Sequence, residues 1–415
     1  MSRRTLSNRV LRISLTILIA LAACIAARSH CFFDLAKREY AFCATLLSVA
    51  VLYLRIRPSF KELGALVVCT LVLVGVSIGV GPFPPSVRIC LALFGLAGLV
   101  VLATLTIWCK ASEIAIPLYA LIAAVCLVGS GWIFPPFLNW AGQGMPKVLD
   151  LYLVSFDASL GFQPSFAVGI LFFKWPLFDQ VAGIFYMGVP VIVTLVFGDR
   201  LRQDTRKAFL AFLAFLLVGP VGSLFYTLFP AVGPVFVFPG NFPVRPLPTS
   251  AIHHMVLEPI TLSGFRNAMP SLHMAWAILG LWYSRGTAWW TRVIAWTFFV
   301  LTAFATLGMG EHYLIDLIVA FPFSLMIFGI FYSLSGWKES WRIRATAFGF
   351  GATILWMTLL RFQPNVFWLS RVIPWGLIVL TVATTLLLRR QMLLASAPME
   401  SSVAARSVAD LPAGL

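Results

Sequence analysis

The chain has 415 residues, 60% of them hydrophobic and only 11% charged, and its mean hydropathy is +0.94. No soluble core is large enough for that much apolar surface, so lipid is the solvent for most of the sequence. The formal charge of +15 accompanies no basic run interleaved with aromatics, which argues against nucleic acid as a partner.

Apolar runs are predicted to form helices over roughly 12–28, 40–56, 62–81, 88–109, 114–134, 179–198, 208–229, 271–284, 291–308, 314–333, 345–360 and 372–388. The predicted fold is therefore all-α, a polytopic integral membrane protein with about 12 transmembrane helices. At its start, "MSRRTLSNRVLR" before "ISLTILIALAAC" has the basic and apolar regions of a signal sequence, and Leu21-Ala22-Ala23-Cys24 resembles a lipoprotein cleavage box. Ala/Leu runs generate such tetrapeptides readily, so the expectation is an uncleaved first helix.

Residues 1–135 read as an N-terminal membrane region of five helices, to which the sequence assigns no role. All seven Cys lie before residue 127 with no CxxC and no Cys/His cluster. They are expected to pack between helices, and neither a metal nor a cofactor is implied. Residues 136–178 break the apolar pattern with Asp150, Asp157, Lys174 and Pro176, and "LDLYLVSFDASLGFQP" reads as an amphipathic segment on the outer face or as a re-entrant piece. Residues 136–335 read as the catalytic unit. Within them, 229–270 form a long connection in which Pro230, Pro234, Pro239, Pro243, Pro246 and Pro248 forbid regular helix. Two helices over 336–391 and a disordered tail over 392–415 complete the chain.

Lys and Arg sort by alternate connections. Clusters at Arg3–Arg12, Arg55–Lys61, Lys110, Arg200–Lys207, Arg285–Arg292, Lys338–Arg344 and Arg389–Arg406 hold about two thirds of them. That bias predicts cytoplasmic N- and C-termini.

Polar residues concentrate at two helix starts. In "FRNAMPSLHMAWAI" (265–278), Arg266, Asn267, Pro270, Ser271 and His273 precede an apolar run. Pro270 fits the first turn of a helix, where a missing N–H costs nothing. Free N–H groups and the positive end of the dipole suit a phosphate there, with Arg266 as countercharge. In "GMGEHYLIDL" (308–317), His312 and Asp316 stand four apart, so one helix face carries both and the carboxylate is placed to hold Nδ1–H. One helical hairpin separates the two starts, so His273 and His312 share a membrane face, which the charge bias assigns to the outside. His253 and His254, in the long connection, read as solvated loop residues.

"PSLH" followed by "HYLID" resembles the type 2 phosphatidic acid phosphatase superfamily, most closely its inositol phosphorylceramide synthase-like branch and the sphingomyelin synthases. The similarity is strongest over 205–333 and weaker from 147. The resemblance implies His312 as a nucleophile that becomes phosphohistidine, Asp316 as the residue that orients it, and His273 as the acid for the leaving oxygen. Ser271, Asn267, Arg266 and Arg245 would contact the phosphoryl group. In this superfamily the phosphatases carry a Lys where Phe238 stands and an Arg where Thr306 stands. A clamp with fewer cations suits a phosphodiester, which carries a single negative charge, better than a monoester.

The expected activity is headgroup transfer between membrane lipids on the extracytoplasmic or luminal face, from a phospholipid donor to a lipid alcohol or water. A lipid phosphate phosphatase acting on phosphatidate or polyprenyl phosphate is the alternative within that chemistry. A secondary transporter using the same polar residues is the alternative of another class, against which stand the lack of paired halves and the position of the residues near one surface.

Overall fold

Inside a bilayer no water bonds the backbone, so apolar runs close their hydrogen bonds within helices. The computed structural model describes residues 3–79, 86–332 and 339–395 and is helical nearly throughout. Its N-terminal region comprises α1 (Arg3–Arg28), α2 (His30–Arg38), α3 (Tyr40–Arg55), α4 (Phe60–Ser77), α5 (Val87–Trp108) and α6 (Ala115–Gly144). Next come β1 (Lys147–Val148), α7 (Asp150–Ser159), α8 (Pro164–Lys174), α9 (Pro176–Met187), α10 (Val189–Leu201) and α11 (Thr205–Leu228). The long connection carries α12 (Pro234–Val237), α13 (Thr249–His253) and β2 (Ile260–Thr261), which pairs antiparallel with β1. Then follow α14 (Leu272–Tyr283), α15 (Trp289–Gly308), α16 (Leu314–Phe331), α17 (Glu339–Phe362) and α18 (Val372–Ala395).

The chain is an all-α integral membrane protein. Among the described residues, eight helices are long and apolar enough to cross a membrane, or up to 10 if each bent pair is one span. About 12 were expected, and the difference lies in particular places. The runs at 40–56 and 271–284 become helices of 16 and 12 residues, shorter than a full span. The run at 179–198 breaks between α9 and α10, bent by 52°. Gly188 caps α9 there and Pro190, with no N–H to give, follows at once.

A second correction concerns α7: of its two readings, the amphipathic surface one is overturned, and the bend into α8 fits a broken span or the re-entrant alternative. Asp150, Leu153, Val154, Ser155, Phe156, Asp157, Ala158 and Ser159 are all buried, and α8 departs from it at 86°. Three of its buried polar side chains have partners on distant segments: Trp368 Nε1 donates to Ser155 Oγ at 2.9 Å, and both aspartates bind backbone N–H groups. A third concerns the tail. α18 runs to Ala395, so 392–395 are helical, and the rest of the expected disordered tail lies outside the described residues.

α16 is the central helix, with 72% of its membrane window buried against 11% for α1 at the periphery. It packs along α11, α14, α17 and α18, around the fully buried rings of Phe323 and Phe328. The N-terminal region joins this bundle through α3 on α10 and α6 on α11. α3 and α5 meet so closely that a Cβ on Gly95 would lie 2.1 Å from the Leu46 carbonyl oxygen. Close backbone approach of this kind is the ordinary means of helix association in lipid.

Candidate active site

α14 starts one residue later than the sequence suggests. Ser271 is its N-cap, and its Oγ accepts from Met274 N at 3.4 Å. Pro270 therefore stands before the cap and not in the first turn. Ser271 N–H donates to the Asp316 carbonyl at 3.2 Å, which ties the start of α14 to the first turn of α16. Tyr313 is the N-cap residue of α16, and its N–H donates to Asp316 Oδ2 at 2.8 Å.

His312 sits just before that cap and is 1% exposed. Its N–H donates to the Thr306 carbonyl at 3.1 Å, and its carbonyl accepts from Ser165 Oγ at 2.8 Å. The ring is fixed as well. Nδ1 lies 2.9 Å from the Ala268 carbonyl oxygen, which accepts only, so Nδ1 carries the proton and Nε2 keeps its lone pair. Nε2 faces Ser271 Oγ at 3.2 Å. Burial lowers the His312 pKa to about 4, against the opposing pull of Glu311 and the Ala268 carbonyl, so the imidazole is neutral near pH 7. Asp316 was expected to hold Nδ1–H directly. Its Oδ2 lies 3.5 Å from Nδ1, beyond good hydrogen-bond range, and is spent on capping. Asp316 thus positions His312 through the backbone turn between them.

Two aspartates that sequence reasoning left unassigned brace the same turn. Asp150 accepts from Val232 N and Gly233 N and, through Oδ1, from the Tyr313 hydroxyl at 3.1 Å. Asp157 Oδ2 accepts from Leu314 N at 2.9 Å. Gly233 is required here: its φ is +104°, and a Cβ would lie 2.4 Å from the Glu311 carbonyl oxygen. The available signal was two carboxylates in an otherwise apolar stretch, since a charge buried in a membrane protein is costly and needs a use.

The remaining expected residues divide. His273 follows the cap, its ring stacked on Tyr186 at 3.8 Å and edge-on to Trp276, within electrostatic reach of His312. Asn267 is half-buried, and its Oδ1 has no partner among the described residues. Arg245 is exposed on the long connection and makes no side-chain hydrogen bond or ion pair among the described residues.

Arg266 is a correction. It is 3% exposed, and its guanidinium donates to the carbonyls of Met145, Pro146, Leu262 and Gly264. Those residues flank β1 and β2, so Arg266 staples the strand pair, its guanidinium committed to main-chain carbonyls where a phosphate countercharge was expected. Phe238, at the position of the phosphatase lysine, packs against Phe166, and the Thr306 hydroxyl donates to the Ala303 carbonyl. His253 and His254 are exposed, their tilted rings 4.9 Å apart, with His253 also against Trp368.

The site therefore offers a neutral imidazole with its lone pair aimed at a helix start, a hydroxyl and a second imidazole. Such a set is suited to nucleophilic attack and general acid–base help. No curated protein and no solved structure matches the chain. Residues 151–330 match a family model described as the PAP2 superfamily, a stretch that includes Asp157, Ser165, Ser271, His273, His312 and Asp316. The matched stretch is under half of the chain, and it shows that this bundle is similar to that superfamily.

Proposed function

We propose that the protein is a membrane lipid phosphotransferase, inositol phosphorylceramide synthase-like, which moves a phospho-headgroup between lipids through a phosphohistidine on His312. The observation that carries this reading is the His312 ring, held as the Nδ1–H tautomer with Nε2 toward the N-terminus of α14. In the first step Nε2 attacks phosphorus, the P–N bond forms, and the P–O bond to the donor lipid breaks. The leaving oxygen takes a proton from His273. In the second step the acceptor hydroxyl gives its proton to His273 and its oxygen bonds phosphorus, which releases neutral His312. Charge developing on the phosphoryl oxygens meets Ser271 and the positive end of α14.

Transfer from a diester is favoured over monoester hydrolysis by the shortage of cations. Phe238 and Thr306 supply no charge, Arg266 is occupied, and Arg245 remains from the two arginines expected to bind phosphate. A monoester brings up to two negative charges to such a clamp and a diester only one.

The test uses purified protein in lipid with phosphorus-labelled phosphatidylinositol or phosphatidate, with and without ceramide or diacylglycerol. Label passing from the diester into a new lipid is expected in wild type. His312→Ala and His273→Ala should each lose at least ~10²-fold in turnover while inserting normally. Release of inorganic phosphate from phosphatidate alone would make the protein a phosphatase. Full activity in either variant would remove the assignment of these histidines.

A further inference from the structure

At the far end of α14, about 15 Å along the helix from His273, a cavity opens between α10, α11, α14, α16 and α18. Its volume is about 370 Å³, and Arg200, Lys207, Arg285, Trp282, Tyr283 and Phe328 are among its walls. We propose that this cavity is a binding site for a phosphate-bearing anion, separate from the His312 site.

Charge, burial and shape converge on an anion. No carboxylate is among the lining residues, whereas three cations are. Lys207 is partly offset by Asp204 at 3.2 Å in an exposed pair, which is weak in water. Arg200 is fixed in the wall by donating from Nε to the Tyr283 carbonyl and from Nη2 to the Arg285 carbonyl at 2.9 Å. Arg389 stands behind, its guanidinium 5.0 Å from the centre of the Trp282 ring and its Nε buried without a partner among the described residues.

Capping of the α14 carbonyls accounts for Arg200, and a basic membrane face accounts for Lys207 and Arg285. Neither accounts for Tyr283. It is 5% exposed, lines the cavity, and its hydroxyl has no hydrogen-bond partner among the described residues. A buried hydroxyl of this kind is costly unless something bonds it. The volume suits a headgroup-sized ligand. Phe331, Tyr332 and Leu393 continue the wall in apolar material, which suits the glycerol and acyl start of a phospholipid. Free phosphate is the other source of the same chemistry.

The test titrates delipidated full-length protein carrying His312→Ala, so that no turnover intervenes, with phosphatidylglycerol, phosphatidylcholine or inorganic phosphate. Bound ligand is read by native mass spectrometry. Phosphatidylglycerol is expected to bind more tightly than phosphatidylcholine. Lys207→Ala with Arg285→Ala should weaken it on the order of tenfold, as removal of two cations facing an anionic headgroup requires. Tyr283→Phe, which removes one oxygen from a position held on all sides, should weaken it several-fold with melting unchanged. Phosphate that competes identifies the free anion as a ligand, and phosphate that does not identifies the lipid. Equal binding of the two lipids, or Tyr283→Phe and the double variant both binding as the parent does, would overturn the proposal. Because every arm lacks His312, its outcome is independent of the transferase reading.

Discussion

The proton on His312 Nδ1 goes to a main-chain carbonyl, and that partner sets how the residue titrates. A carbonyl fixes the tautomer but brings no negative charge, so burial prevails and the pKa falls to about 4. Protonation of Nε2 removes the attacking lone pair. On the acid side kcat/KM should therefore lose the His312 lone pair only near 4, while the proton that His273 must carry to the leaving oxygen sets the alkaline limb. Stability follows the same sign. Between those two values the unfolded chain binds the proton more readily, so this residue's contribution is complete above about 6.5 and is lost as pH falls toward 4. A pH profile with its acid limb at or above 6.5 would mean that Asp316 holds the imidazolium directly. At this scale the sequence was informative about residue types and one-turn spacing. It was silent on Ala268, whose carbonyl lies 44 positions from His312. It also could not say that Arg266 would turn to four carbonyls, because a cation beside a helix start is equally placed to serve a phosphate or a backbone.

Elements bring the other half of the site together. The hairpin logic that placed His273 and His312 on one face needs only the lengths of α14 and α15. The contribution of α7 and α8 needs contacts more than 140 positions apart, from Ser165 to His312 and from Asp157 to Leu314, and no periodicity carries those. Nor does periodicity reveal how the N-terminal helices attach. Arg55 on α3 forms an ion pair with Asp199 on α10, Thr291 donates to the same carboxylate at 2.5 Å, and Trp290 lies under the guanidinium. Asp199 is 6% exposed, so removing its cation leaves a charge buried beside apolar helices. Arg55→Ala should destabilise the protein by about 3 kcal/mol, read as a lower melting temperature in detergent. An apolar replacement of both partners, Arg55→Met with Asp199→Leu, should recover most of it. If Arg55→Ala melts as the wild type does, the two regions are held by apolar packing alone, as between Gly95 and Leu46.

For the molecule as a whole, the basic clusters and the candidate site lie at opposite ends of α14. Arg55 reaches Asp199, Arg200 reaches the carbonyls of Tyr283 and Arg285, and Arg389 reaches Trp282, so four clusters set far apart in sequence meet at one end. His312, Ser271 and the long connection lie at the other. We propose that cytoplasmic retention of the short basic segments orients the bundle with His312 outward, an orientation that decides which leaflet supplies the lipids. In a variant whose seven free cysteines are replaced, Val244→Cys should react with a membrane-impermeant thiol reagent in intact cells, since Val244 is 48% exposed on the long connection. Gln203→Cys, exposed beside the Arg200 cluster, should react only after permeabilisation. The reverse pattern would invert the bundle. The headgroup chemistry could stand unchanged, but donor and acceptor would then have to come from the cytoplasmic leaflet, and the cavity around Tyr283 would face outward.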